Sequence, residues 1–381
     1  MVSVILLLSI TLGALLIAGP GINLNFDRDR NISLPNIGNF FAGTEADDAT
    51  LGVSTGDVEE NNIGGAENRT WNMLLASERR ANTIKSDTME WAVREISIRT
   101  NGVINIEHFP DGRLGSRELV MEDVMSGSIE MVLGFIPVWE DSRGILISLP
   151  HLVKCYEDGM TIFAYGSNTF AVFNEIAEDN NLKLMGILPG ELIGIGTTSQ
   201  FNPETVWDFD QPSYELLIRV LPVWIFETVA DAMRLRTIGI EERSEMVTAL
   251  VEGDIDGWLG GSPGENLRYS SVINYFYDFK SITTFDKIFI NRDIYYSIPE
   301  NYRRIIFEVM QEASIRAAES QAASNVRSLQ AMRDRGITVF VPTDEEREQM
   351  REAMIRRHWP IFADEFEIGQ DLIDRILEDI R

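Results

Sequence analysis

The chain's chemically active side chains are scattered, so the first question is whether any of them form a site. His108, His151 and His358 lie too far apart to read as a local metal motif, and the lone cysteine, Cys155, excludes an intramolecular disulfide. Cys155 sits in an apolar-rich stretch, where an inert packed thiol is the expected state. Asp254-Ile-Asp-Gly257 opens like a calcium loop but lacks the remaining oxygen ligands and the closing glutamate, and it reads as a turn. Gly194-Ile-Gly196 lacks the third glycine and the downstream acid of a dinucleotide fingerprint. The 60 acidic residues guarantee chance carboxylate pairs, and no nucleophile–base motif such as Gly-x-Ser-x-Gly is expected. No cofactor or metal is expected. What remains is Arg219, between Ile218 and Val220 on a short strand-like run. It is either half of a surface ion pair or a planar fork that offers a carboxylate two parallel donors and cannot be neutralised near neutral pH.

Charge narrows the partners. With 33 basic against 60 acidic residues the net charge is −27, and the average field repels nucleic-acid phosphates and anionic lipid surfaces. An anionic guest would have to be held against that field by a well-placed cation.

The elements that must position such a cation follow from periodicity. A chain of 381 residues exceeds what one core usually serves, so two lobes are expected. Residues 2–18 form an apolar run ended by Gly19-Pro20-Gly21, an export segment that is either a cleaved signal peptide or a membrane anchor. Residues 25–69, rich in Asp, Glu, Asn and Gly, read as an acidic flexible tether. Folding is expected from Trp71, with a strand, an amphipathic helix over 84–100, and an alternating strand over 103–109. Ser116 and Gly127 bracket a helix over 117–126, followed by a strand over 129–134. Such alternation means α/β layering, with ligands beyond the carboxyl ends of the strands. Ser297-Ile-Pro-Glu300 has the capping-box spacing, and the helix it opens can run to Gly336, long enough to cross two lobes. Thr343-Asp-Glu-Glu346 opens another over 345–357.

Three segments, in this order, resemble the DctP-type solute-binding subunits of tripartite ATP-independent periplasmic (TRAP) transporters. The first runs from Asn101-Gly-Val-Ile-Asn-Ile-Glu-His-Phe-Pro-Asp-Gly-Arg-Leu-Gly-Ser116 through Glu122 to Met131, with Leu149-Pro-His-Leu152 after it. The second is Leu217-Ile-Arg-Val220 with Glu245 to Gly257, and the third is Ile290-Asn-Arg-Asp293 leading into the long helix. The resemblance covers roughly Trp71 to the C-terminus. It implies a two-lobed α/β fold of periplasmic-binding-protein type with mixed sheets and a long bridging helix. Residues 1–24 would be the export segment, 70–196 with 285–324 lobe I, and 197–284 with 325–381 lobe II. It further implies that a small organic acid is captured between the lobes and delivered to TRAP permease subunits, without catalysis, in the periplasm. The rivals are an exported acid–base hydrolase and the sensing module of a signalling partner.

The resemblance places Arg219 in the cleft as the carboxylate anchor. Trp258, after Asp256-Gly257, is then either a cleft wall or a buried structural indole. Ser262 lies in Gly260-Gly-Ser-Pro-Gly264, which departs from the family's usual continuation, and is a candidate polar contact. Gly194-Ile-Gly-Thr-Thr198 lacks the second arginine that many members carry, so Thr197 or Thr198 either donates a hydroxyl or closes a turn. One missing cation points to a monocarboxylate or a guest with a less charged second end. Glu78 and Phe135 lie at strand ends expected to face the cleft.

Overall fold

The computed structural model describes residues 69–208 and 215–380. The export segment and nearly all of the acidic tether lie outside the described residues. Among those described, no helix is long and apolar enough to cross a membrane.

The first half builds one sheet. Strand β1 (Trp71–Ser77), helix α1 (Ile84–Arg99), strand β2 (Ile104–Phe109), helix α2 (Arg117–Ser126) and strand β3 (Met131–Gly134) follow the expected alternation within a few residues. The bounds of α2 are set locally. The Ser116 hydroxyl accepts from Leu119 N, and Gly127 closes the helix at φ +82°, a conformation that costs glycine nothing. Helices α3 (Tyr156–Ile162) and α4 (Asn168–Asp179) lead into β4 (Leu182–Leu188).

The chain then crosses to a second sheet made of β5 (Ile195–Thr197), β6 (Leu217–Val220), β7 (Arg236–Gly239), β8 (Gly257–Leu259) and β9 (Tyr275–Tyr277). Helices α5 (Trp224–Ala232), α6 (Arg243–Glu252) and α7 (Pro263–Arg268) lie between these strands. The chain returns for β10 (Asp286–Asn291) and the short α8 (Arg292–Ser297), runs along α9 (Glu300–Asp334), and finishes with β11 (Thr338–Phe340), α10 (Asp344–Arg357), α11 (Trp359–Glu365) and α12 (Gln370–Ile380).

The sheets order as β2-β1-β3-β10-β4 and β11-β9-β5-β8-β6-β7. In the first, β1 pairs parallel with β2 and β3, while β10 runs antiparallel between β3 and β4. In the second, β6 pairs parallel with β7 and β8, and β5 is antiparallel to β8 and β9. Two-lobed mixed α/β architecture is therefore what the chain adopts. Strand β10 is buried at every position, as a central strand covered on both faces should be.

The two crossing segments bond to each other. Ile193 N donates to Ile282 O (3.0 Å), Ser281 N to Ile193 O (3.0 Å) and Thr284 N to Glu191 O (3.0 Å). Helix α9, 35 residues or about 52 Å, is the third link, packing on α1 and β4 in one lobe and on α7 and β11 in the other. Gly186 lets it approach β4, since a Cβ there would stand 3.0 Å from Ser314 Oγ and 3.2 Å from Met310 O. Its N-terminus differs from the expected capping box. Pro299 occupies the N-cap, and the Ser297 hydroxyl turns back to Ile294 O to close the preceding helix. The Thr343–Glu346 capping box forms as expected.

The last helices divide their packing. Arg351 of α10 reaches His151 O and Leu152 O, Trp359 donates to Pro150 O, and α12 lies on α4, all on the side of the first sheet. Phe362 and Phe366, however, pack on Trp224 of α5.

Lys287 is buried within the first lobe, its ammonium 3.4 Å from Gly144 O and 4.8 Å from the centre of the Phe173 ring. Burial pulls its pKa from 10.5 down to about 7. An unfolded chain keeps that proton up to about pH 10.5 whereas the folded one releases it near 7, so this group's cost is full below pH 7 and is relieved as pH rises to 10.5. Lys287→Met is expected to stabilise the protein by a few kcal/mol at pH 7, after allowance for the lost cation–π contact. Denaturant titrations at pH 7 and pH 10 check this, because the gain must shrink at the higher pH.

Candidate functional site

Ligands of open α/β sheets are found beyond the carboxyl ends of the strands. In the first lobe the ends of β1 and β3 and the start of α2 line a small open pocket. Glu78 follows β1 immediately. Its carboxylate accepts Arg117 N (3.0 Å) and Arg117 Nε (2.8 Å), and a negative charge at a helix N-terminus is favourable in itself. The Arg117 guanidinium lies over the Phe135 ring at 4.5 Å. Two residues expected at the cleft, Glu78 and Phe135, are thus brought together through a third that the sequence reading missed.

Arg79 also lines this pocket and donates to Asp286 Oδ1 at 2.6 Å. Lys85 bonds the other oxygen at 2.5 Å. Burial works against ionisation of Asp286, yet Lys85 and Arg79 hold its carboxyl below the usual range. Burial lowers the Lys85 pKa, opposed by Asp286. Glu191, in the first crossing segment, is close enough to act on both cations. Its Oε1 accepts the Ser262 hydroxyl from the second lobe at 2.8 Å. Tyr156 adds a pin, its hydroxyl donating to Gly190 O (2.9 Å) and accepting from Asn325 of α9 (3.4 Å).

In the second lobe Arg219 stands on β6, in register with Ile238 of β7 and Trp258 of β8. It is 4% exposed. Nε donates to Ile240 O at 2.7 Å and Nη2 to Glu241 O at 3.0 Å. These are backbone carbonyls just beyond the end of β7, and they fix the plane of a guanidinium that has further donors to give. Burial lowers the Arg219 pKa and Arg243 lowers it further, with only Tyr269 opposing. No carboxylate among the described residues acts on it. Arg243 has its own partner in Glu265. A buried cation facing another cation is the arrangement that an anionic guest would relieve. Beyond β6, Val223 is exposed and Trp224, Ile225 and Phe226 are half-buried, an apolar border at the same strand end.

The other expected residues are placed differently. Trp258 is 1% exposed and belongs to the second lobe's core with Met246, Leu250, Phe276 and Met332. The turn at Gly260 and Gly261 lies directly on its ring, and a Cβ on Gly261 would stand 2.7 Å from it. Thr198 spends its N–H (2.7 Å) and hydroxyl (3.1 Å) on Asp256 O, closing a turn. Asp256 also accepts Leu217 N, so the Asp254–Gly257 segment locks β6. Ser262 caps α7 besides bonding Glu191. Contrary to the expectation that no such motif occurs, Gly260-Gly-Ser-Pro-Gly264 has the Gly-x-Ser-x-Gly spacing of a nucleophile elbow. The Ser262 hydroxyl bonds Glu191 Oε1 and caps α7, and the His108 imidazole is bonded to Glu90.

Arg79, Arg117 and Glu191 escaped sequence reasoning. The only signal for the first two was their place at a strand end and at a helix start. Glu191 gave none, since its partner Ser262 lies 71 residues away. Cys155 caps α3 through its sulfur, and burial raises its thiol pKa.

Comparison with known proteins bears on this geometry. Residues 75–365 match the model of DctP, the bacterial extracellular solute-binding proteins of family 7. No curated protein matches the sequence. Among solved structures, a TRAP periplasmic solute binding protein from Ochrobactrum anthropi, with its C-terminus bound in the ligand-binding pocket, is 17% identical at TM-score 0.70, over 82% of this chain and 95% of that one. One from Haemophilus influenzae with bound L-gulonate is 17% identical at TM-score 0.62, over 81% and 100%. One from Desulfovibrio salexigens with bound orotic acid is 18% identical at TM-score 0.62, over 81% and 98%. At such identities the likeness is one of fold.

Proposed function

The chain belongs to the DctP family of bacterial extracellular solute-binding proteins, and from that premise we propose that it captures a small organic acid between its lobes outside the cytoplasm and delivers it to a TRAP permease. Arg219 anchors the carboxylate. Glu78, Arg117 and Phe135 face the guest from the first lobe. The observation that carries this reading is the Arg219 guanidinium, buried, fixed in plane by two carbonyls and without a carboxylate opposite it. Relatives of the same fold hold L-gulonate and orotic acid, both carboxylic acids, which supports an acid as the guest. Its role is capture and not chemistry on the guest, as membership of a solute-binding family supports.

Binding favours a closed form because only there do both lobes touch the solute. In small-angle scattering the radius of gyration is expected to fall when a bound acid saturates the protein. Saturation without compaction would rule out closure.

A further inference from the structure

We infer that the second sheet carries a self-association edge: a second copy of this chain adds its β7 antiparallel to β7, about a two-fold axis at Gly239. Strand β7 closes that sheet and pairs with β6 alone. Ile240 N donates to Val220 O at 3.2 Å, so Arg236, Ile238 and Ile240 turn their backbone groups toward β6 by the alternation of a strand. The N–H and C=O groups of Thr237 and Gly239 therefore point outward, and among the described residues nothing bonds them. Such an open row is a template for another strand. Charged side chains usually blunt it, but here their placement matches the row to itself.

The match lies in Arg236-Thr-Ile-Gly-Ile-Glu-Glu242, where Glu242 still has extended backbone at φ −78° and ψ 131°. With the axis at Gly239, that residue meets its copy in a hydrogen-bonded pair, and Thr237 meets Glu241 of the second copy. Arg236, Ile238, Ile240 and Glu242 take the non-hydrogen-bonded positions, in which opposing side chains lie closest. Ile238 then faces Ile240 of the second copy and Arg236 faces its Glu242, each twice by symmetry. Moving the axis to Ile238 sets Arg236 against Ile240, and moving it to Ile240 sets Ile238 against Glu242, so one register satisfies both kinds of pair. These groups are also open to be covered. Ile238 is 42% exposed. Among the described residues neither Arg236 nor Glu242 has an ion-pair partner, and the Glu242 side chain makes no cap bond to the helix it precedes. Gly239 brings no side chain to the axis, which suits a close approach of two backbones. Two chains of net charge −27 repel each other at a distance, but at physiological salt the screening length is about 8 Å, and the opposed pairs lie within it.

The test is sedimentation velocity on the full chain across a concentration series near physiological salt, with amide hydrogen exchange on the same samples. A reversible monomer–dimer equilibrium is expected, with exchange at Thr237 and Gly239 slowing as concentration rises. Arg236→Glu alone and Glu242→Arg alone are each expected to weaken the dimer roughly 10-fold, since like charges then oppose each other twice per dimer. Joining the two swaps restores opposite charges, and the double variant is expected to return to the wild-type constant. Thermal melts establish that each variant folds. A chain that stays monomeric at every concentration overturns the inference. So does a dimer indifferent to the single swaps, the result if the apolar run at residues 2–18 or another surface carried it. Exchange at Gly239 that ignores concentration overturns it without any variant.

Discussion

Arg219→Met is expected to abolish measurable solute binding, with a loss on the order of 1,000-fold, while the melting temperature stays level or rises. Two terms set the size. A bidentate charge-assisted contact contributes about 1.5–3 kcal/mol, and removing the cation also returns the acid to the repulsive field of a chain carrying 60 acidic residues against 33 basic. The direction of the stability change separates an anchor from a structural arginine. In the free protein Arg219 is a desolvated charge with Arg243 beside it and two carbonyls as its partners. Replacing it by an apolar group of similar length removes that cost. Arg219→Lys should be intermediate, down by about 10- to 100-fold, because one point donor replaces the planar fork. Titration calorimetry and thermal melts on the same samples decide the matter. Wild-type affinity in the methionine variant would end the anchor assignment.

The largest effect on stability is expected from Arg351→Ala. Arg351 has no exposed surface. It ties α10 to the Pro150–Leu152 turn through His151 O (3.2 Å), Leu152 O (3.0 Å) and the Asp158 carboxylate. Truncation leaves two carbonyls and a carboxylate facing a cavity, a change that costs about 3–5 kcal/mol. His151 adds a pH signature. Burial and the neighbouring Arg351 lower its pKa from 6.5 to about 3. An unfolded chain takes up that proton near pH 6.5 while the folded one resists until about 3, so stability is lost as pH falls through that window. Without Arg351 the repulsion on His151 weakens, and the acid-side loss should become shallower. Urea unfolding at pH 7 and pH 5 measures both effects. A loss under about 1 kcal/mol at pH 7 would show that the clamp is dispensable.

How much of this was legible depends on how local its cause is. The bounds of α2 could be read because Ser116 and Gly127 act within one turn of themselves. The start of α9 was misread because Ser297 had two local partners to choose from, and Ile294 O won over the following helix. Three-residue strands such as β5 and β8 have too few positions to show a period, and their pairing is settled by chain far away. The site divides in the same manner. Arg219 stood out through likeness to a family and through its chemistry. Arg79 gains its meaning from Asp286, 207 residues on, and Arg117 from Glu78, 39 residues back. Trp258 shows the converse. Its position left a cleft wall and a buried indole open, and the glycines after it let the backbone fold over the ring.

The three links between the lobes bear on how affinity is spent. Halves joined by one strand could swivel about any axis, and a guest would have to arrest that tumbling before gaining from contact with both. Two crossing segments bonded edge to edge, with a 35-residue helix alongside, leave little besides a bend along a single track. Most of the orientational search is therefore completed during folding, so a small solute with few atoms can still be held firmly.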